Sequence, residues 1–349
     1  MMTETSMPDS MLADLLKKLL YVSGSLGAYH RLRNARTLTV VMFHRVLDPQ
    51  DPRWAASDPD YTLRADLFAQ CLRFFVEHYN IVSADDVLRT RRGERTLPAR
   101  ALLITFDDGW ADNVDFALPQ LQQLGLPSLM FVVSDAVDRH ESFFQERILG
   151  AWRRGTLTLD QLNSALRQLG AEIQAPVRND AAQLRRSIQA VEALPHDQRA
   201  HLLEKLSVAL ADPLRQMVTA QDLRTLDAAG MTIGLHGKTH IPMTRAADLD
   251  AELAGARSEM SARMSHRAPP QTMSFPHGRY DAPIAAQARQ AGYELVFTSV
   301  PTINPVRASV GWLLGRLGFE ADAVSDAKGR FRPEWLALYL FRRPHRAPT

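Results

Sequence analysis

Cysteine is almost missing: Cys71 is the only one in 349 residues, which rules out an internal disulfide framework and suits a reducing compartment. Long hydrophobic runs are also lacking. The apolar stretch Leu19-Leu20-Tyr21-Val22 follows Lys17 and Lys18 and is too brief for a signal peptide or a spanning helix. A dominant charge is absent as well, since the formal net charge is only +2. A broad cationic surface for nucleic acid is therefore not expected. Nor is there an internal repeat, a low-complexity tract or a glycine-rich phosphate loop. These absences predict a cytoplasmic protein without nucleic-acid partners or a transmembrane segment. The stretch from Met11 to Leu26 is amphipathic, which suits packing on the domain or peripheral contact with the inner face of a membrane.

What is present is a chain with 46% hydrophobic residues, enough for a core of barrel size. Apolar runs alternate with helical periodicity. Residues 38–46, 101–106, 129–133, 232–235 and 294–298 read as strands, with 312–317 as a closing strand. Residues 65–79, 84–91, 113–124, 246–266 and 282–291 read as helices. Cys71 falls on the apolar face Leu67, Phe68, Leu72, Phe75, as a small core residue. Such alternation predicts an α/β fold with a parallel sheet and helices outside. Between about 139 and 225 the pattern turns helical and charged, with Leu162, Leu166, Leu169 and Leu194, Leu202, Leu203, Leu206 on helical faces. We read this as a helical insertion. Residues 1–37 read as a helical extension, 38–330 as the barrel domain and 331–349 as a basic tail.

Three strand ends carry polar residues. Thr105-Phe106-Asp107-Asp108-Gly109-Trp110 follows the apolar run Ala101–Ile104. Two carboxylates at the end of a buried strand need a cation, a metal or donors to compensate them. An Asp-Gly turn alone would also suit a plain surface turn. Leu235-His236-Gly237-Lys238-Thr239-His240 follows a second strand. Two imidazoles four residues apart plus one Asp make a three-ligand set that leaves a position open for water or substrate. Gly237 stands where a zinc protease helix would carry Glu, which weakens that reading. Met273-Ser274-Phe275-Pro276-His277-Gly278-Arg279-Tyr280-Asp281 closes the third strand. Parallel α/β proteins build their sites on such loops.

Together with Ala291-Gly292-Tyr293 and the opening strand Val40-Val41-Met42-Phe43-His44-Arg45-Val46, these ordered motifs resemble the polysaccharide deacetylases of carbohydrate esterase family 4. The likeness covers roughly residues 38 to 320 and leaves out the insertion. It implies a distorted (β/α) barrel of about seven parallel strands. It further implies that Asp108, His236 and His240 hold one divalent metal and that Asp107 is the general base. Zinc is the expected ion, and Co2+, Ni2+ and Fe2+ also suit these ligands. Phe275, Pro276, Gly278 and Tyr280 of the third motif are the expected substrate-binding residues.

The chain also departs from the family pattern. Where many members carry an Arg that orients the catalytic Asp, this chain has Ser274, and His277 replaces a frequent Tyr. No Leu-x-His motif follows residue 300; the late His345 lies in the segment read as a tail. Leu314-Gly315-Arg316-Leu317 resembles a degenerate Leu-Pro-Arg segment, so Arg316 becomes the candidate guanidinium for Asp107. His44 and His277 are the candidates for the general acid. The expected activity is removal of N-acetyl groups from a sugar or polysaccharide during surface polysaccharide assembly. An O-acetyl ester, another C–N bond, or a non-catalytic carbohydrate-binding role are the alternatives.

Overall fold

The computed structural model describes residues 7–171, 179–264, 268–319 and 321–348. Short apolar strands recur along the chain: β1 (Thr37–Phe43), β2 (Ala101–Phe106), β3 (Ser128–Val132), β4 (Met231–Leu235), β5 (Thr272–Ser274), β6 (Leu295–Phe297), β7 (Leu313–Leu314) and β8 (Leu317–Gly318). Every residue of β2 and β3 is buried, as parallel strands covered on both faces require. Pairing is parallel from β1 through β7 in this order, and β8 returns to β1 at Val41 and Leu317. Only Gly315 and Arg316 separate β7 from β8. The two pieces act as one interrupted seventh strand, so the sheet closes into the (β/α) barrel expected from the sequence.

Two buried clusters follow from strand alternation. Leu38, Val40, Leu103, Leu129, Phe131, Leu295, Phe297 and Leu314 form one. Phe131 of β3 and Phe297 of β6 are not on neighbouring strands, yet their ring centroids are 5.1 Å apart. That contact crosses the ring and marks this cluster as the barrel interior. Val41, Phe43, Leu102, Ile104 and Phe106 join the other cluster, which includes Leu67, Phe68, Cys71, Leu72 and Phe75 of the helix Ala65–His78. The seam is held by Asn304, whose Nδ2 donates to the carbonyls of Leu38 and Gly315 and whose Oδ1 accepts from Gly315 N at 2.8 Å. A side chain at 315 would stand 2.7 Å from the Val300 carbonyl, so only glycine passes there.

Several expected elements are redrawn. The strand read over 38–46 ends at Phe43, and Arg45–Leu47 pairs instead with Thr62–Arg64. Buried Asp112 redirects the chain by accepting from Val46 N at 3.1 Å and Arg45 Nε at 2.8 Å. The helix read over 113–124 opens with a π-turn at Asn113–Ala117 before Leu118–Gln123. That read over 246–266 becomes a π-turn at Ala251–Gly255 and a helix at Ala256–Arg263; residues 265 and 266 lie outside those described. The insertion holds the helices Phe144–Arg154, Leu159–Gln168, Ala181–Ala193 and His196–Lys205. They enclose a core of their own around Ile148, Leu162, Leu166, Leu184, Val191 and Leu202; residues 172–178 of the insertion lie outside those described.

The segment read as a basic tail needs correction. Pro333–Phe341 is a helix whose Leu336, Ala337, Leu340 and Phe341 are fully buried, because its apolar residues outweigh the arginines beyond it. The helix Met7–Val22 packs on it, while residues 1–6 lie outside those described. His345 is bonded as well, its Nε2 2.6 Å from Asn34 Oδ1. At this junction His30 stacks on Phe341, with ring centroids 4.0 Å apart. His30 Nδ1 accepts from Asn34 Nδ2 at 2.7 Å and its Nε2 donates to the His78 carbonyl at 3.2 Å.

Burial pushes the His30 imidazole down from 6.5 to about 3. Between these values the unfolded chain binds a proton that the folded chain refuses, so stability falls as the pH drops through this window. Urea denaturation from pH 7 to pH 4 is expected to show a steeper loss for the wild type than for His30→Phe. Equal slopes would show that this ring does not control acid sensitivity.

Candidate active site

The β2 strand delivers Asp107 and Asp108 to the barrel mouth, and the backbone there turns through the left-handed region at Asp108 (φ 78) and Gly109 (φ 82). His240 and His277 share this conformation, so three of the five non-glycine residues with positive φ among those described belong to the site. Strain of this kind persists where surrounding structure over-determines it. For the His236–His240 loop that structure is buried Glu252. Its Oε2 accepts from Lys238 N at 2.7 Å and Thr239 N at 3.1 Å, and its Oε1 accepts from Thr239 Oγ1.

Asp108, His236 and His240 converge. Their ligand atoms all lie within 4.8 Å of one another. His240 Nε2 is 3.2 Å and His236 Nε2 3.4 Å from Asp108 Oδ1. The other carboxylate oxygen, Oδ2, accepts from the Trp110 indole at 2.9 Å. His236 Nδ1 faces the Ser274 carbonyl at 3.0 Å and Ser274 Oγ at 2.6 Å, a pairing that places the proton on Nδ1 and the lone pair on Nε2. Asp108 Oδ1 is sealed from solvent and has no hydrogen-bond donor among the described residues. An acceptor oxygen left bare between two imidazole nitrogens fits a divalent cation, so the donor set suits a metal.

Asp107 takes a different partner. Arg316, emerging from the break between β7 and β8, donates from Nη1 to Asp107 Oδ1 at 2.6 Å and from Nη2 to Oδ2 at 2.8 Å. Its Nε donates to the Thr298 carbonyl at 3.1 Å, and its guanidinium lies 5.4 Å from the Phe131 ring centroid. Burial alone would raise both carboxyls. At Asp107 the Arg316 charge and then His236 outweigh it, and at Asp108 His240 does, so both stay below the usual carboxylate range. Burial brings His236 down to about 4 against the pull of the two aspartates.

His44 and His277 both line the cavity beside the triad. His44 stands edge-on to Tyr61, with centroids 4.9 Å apart, whereas exposed His277 spends its Nε2 proton on the His240 carbonyl at 3.1 Å. Phe275, Pro276, Gly278 and Tyr280 are not among the residues lining this cavity or its neighbour. Phe275 and Pro276 are buried, and Phe275 stacks on Tyr280 at 4.8 Å; the motif's apolar residues build the turn that carries His277. Trp110, Ser274 and Glu252 had no expected role. Trp110 directly follows the Asp-Asp-Gly motif, which was the available signal; Glu252 had none.

A parallel barrel with a guanidinium-paired carboxylate and an Asp-His-His cluster at the mouth suits a hydrolase-type centre. A family model described as polysaccharide deacetylase matches residues 94–296, more than half of the chain. The chain belongs to the polysaccharide deacetylase family, and so to the hydrolases of non-peptide carbon–nitrogen bonds. A comparison with curated proteins found no match. Among solved structures it is similar in fold to the Streptococcus pyogenes deacetylase PplD in complex with acetate, at 15% identity and a TM-score of 0.55 over 87% of this chain and 98% of that one. IcaB from Ammonifex degensii gives 16% identity and 0.54 over 88% and 97%. BC0361, a polysaccharide deacetylase from Bacillus cereus, gives 13% and 0.53 over 87% and 69%.

Removing the Arg316 guanidinium leaves Asp107 buried beside no matching cation. Arg316→Ala is expected to lose about 3–5 kcal/mol of stability, as breaking a buried pair does, measured by urea denaturation. The double variant with Asp107→Asn should recover part of this loss; no recovery would mean that the pair is not what the guanidinium stabilises.

Proposed function

We propose that this protein is a metal-dependent N-deacetylase acting on an N-acetylated sugar or polysaccharide in surface polysaccharide assembly. The observation that carries this reading is the separation of the two aspartates, one facing a guanidinium and the other two imidazoles. Asp108, His236 and His240 would hold one divalent ion, with zinc the best match to an Asp-His-His donor set. When bound, such an ion supplies Lewis acidity and lowers the pKa of water to about 7. Asp107, kept ionised by Arg316, accepts the proton of the attacking water. His44 returns a proton to the amine nitrogen as the C–N bond breaks. His277, whose Nε2 proton is committed to the His240 carbonyl, helps fix the loop. The products are acetate and a free amino sugar.

The purified protein is expected to hold one zinc per chain and to release acetate from N-acetylated glycans. A chelator should abolish release and zinc restore it. Asp107→Asn should keep the ion while slowing turnover by about 10²- to 10⁴-fold. Stoichiometric zinc without acetate from any glycan would overturn the reading.

We also infer work at the inner face of a membrane. No helix among the described residues is long and apolar enough to cross one. Support comes from the helix Met7–Val22, where Leu12, Leu15, Leu16 and Leu19 form one face and are 68%, 54%, 57% and 57% exposed beside exposed Lys18. An apolar stripe next to a basic residue suits an anionic lipid surface. Vesicles containing phosphatidylglycerol should co-sediment with the wild type and not with the double variant Leu15→Glu/Leu16→Glu. Failure of the wild type to bind would retire this location.

A further inference from the structure

The helical insertion stands over the barrel mouth at the triad. A cavity of 280 Å³ separates them, with His44, Asp108 and His240 on the barrel side and Glu146, Ile188 and Gln189 on the insertion side. This is at the small end of ligand sites, which span roughly 300–1,000 Å³. The roof is tied to the barrel. Arg185 donates to both carboxylate oxygens of Asp58 at 3.0 Å each and also reaches Asp60, and Arg153 Nε donates to the Ala55 carbonyl at 2.9 Å. Gly150 packs so closely on Ala56 that a Cβ there would lie 3.2 Å from the Ala56 methyl and carbonyl oxygen. The gap between roof and floor is thus set by direct contacts.

On the insertion side of this gap, Glu146 has an oxygen without a partner among the described residues. Gln145 Nε2 donates to Glu192 Oε1 at 3.0 Å, but Glu146 Oε2 is sealed from bulk solvent and has no hydrogen-bond partner among the described residues. Burial raises this carboxyl to about 7. A buried acceptor without a donor is costly, and a ligand O–H or N–H would remove that cost. The surrounding surface mixes such acceptors with Phe143, Leu149 and Ile188, a lining that suits a ring with one apolar face and a hydroxylated rim.

We infer that the insertion supplies the sugar-recognising half of the site, with Glu146 accepting a hydrogen bond from one N-acetylated pyranose unit. This rests on the reading of the triad as a deacetylase centre. Glu146 and the insertion determine specificity, while the barrel carries the chemistry.

The test compares N-acetylglucosamine, its tetramer and 4-nitrophenyl acetate as substrates. Sugar and ester hydrolysis are followed by acetate release. Glu146→Ala should lower the ratio of kcat/KM for the sugar to that for the aryl ester by about 10- to 100-fold, the size of a hydrogen bond to a charged group. Gln189→Trp, at an exposed position that narrows the cavity without touching the core, should lower the same ratio if the alanine variant does not fold. An unchanged ratio in folded variants would overturn the inference. If neither sugar nor ester is hydrolysed, the deacetylase reading fails by itself. Calorimetric binding of N-acetylglucosamine then decides the inference: weaker binding by Glu146→Ala supports it, and equal binding overturns it.

Discussion

The bidentate pair between Arg316 and Asp107 is the constraint on which the rest of the site depends. It joins the end of β2 to the break in the seventh strand, so the residue that closes the barrel also compensates the charge at its mouth. Both partners are buried, and a buried carboxylate persists only with such a match. Because the guanidinium spans both oxygens of Asp107, the neighbouring Asp108 is free to face the imidazoles.

Around that pair, each candidate ligand is oriented by a group that does not itself join the cluster. Trp110 holds one oxygen of Asp108, Ser274 sets the tautomer of His236, and Glu252 anchors the loop carrying His240. Supports of this kind fix geometry to the tolerance that a metal centre requires. The strained conformations at Asp108 and His240 are sustained by the same contacts. Rigidity thus comes from the barrel, while the insertion, with its separate core, adds a wall that the barrel lacks.

Much of this was legible in residue order. Alternating apolar runs announced a parallel sheet with helices outside, the family resemblance implied its closure into a barrel, and the Asp-Asp-Gly, His-x-x-x-His and Phe-Pro-x-Gly segments pointed to the mouth because a strand end followed by turn residues places polar groups there. Boundaries were less legible. Asp112 bends the chain after Phe43 through bonds to Arg45 and Val46, and nothing local to residues 38–46 announces a partner so far along the chain. Charge misled at the C-terminus, where arginines flank a helix whose Leu336, Leu340 and Phe341 enter the core.

The sequence by itself determined the fold class, the helical character of the insertion and the identity of the residues able to hold a cation, since these depend on local periodicity and donor chemistry. The pairing of Arg316 with Asp107 across 209 positions of chain was anticipated only through the family resemblance, and tertiary structure alone decided that Phe275 of the third motif turns inward and that Glu146 comes to the cavity beside the triad. The reason is physical. Pairings between distant segments are set by how the strands close and how the insertion folds back, and no window of sequence contains both partners.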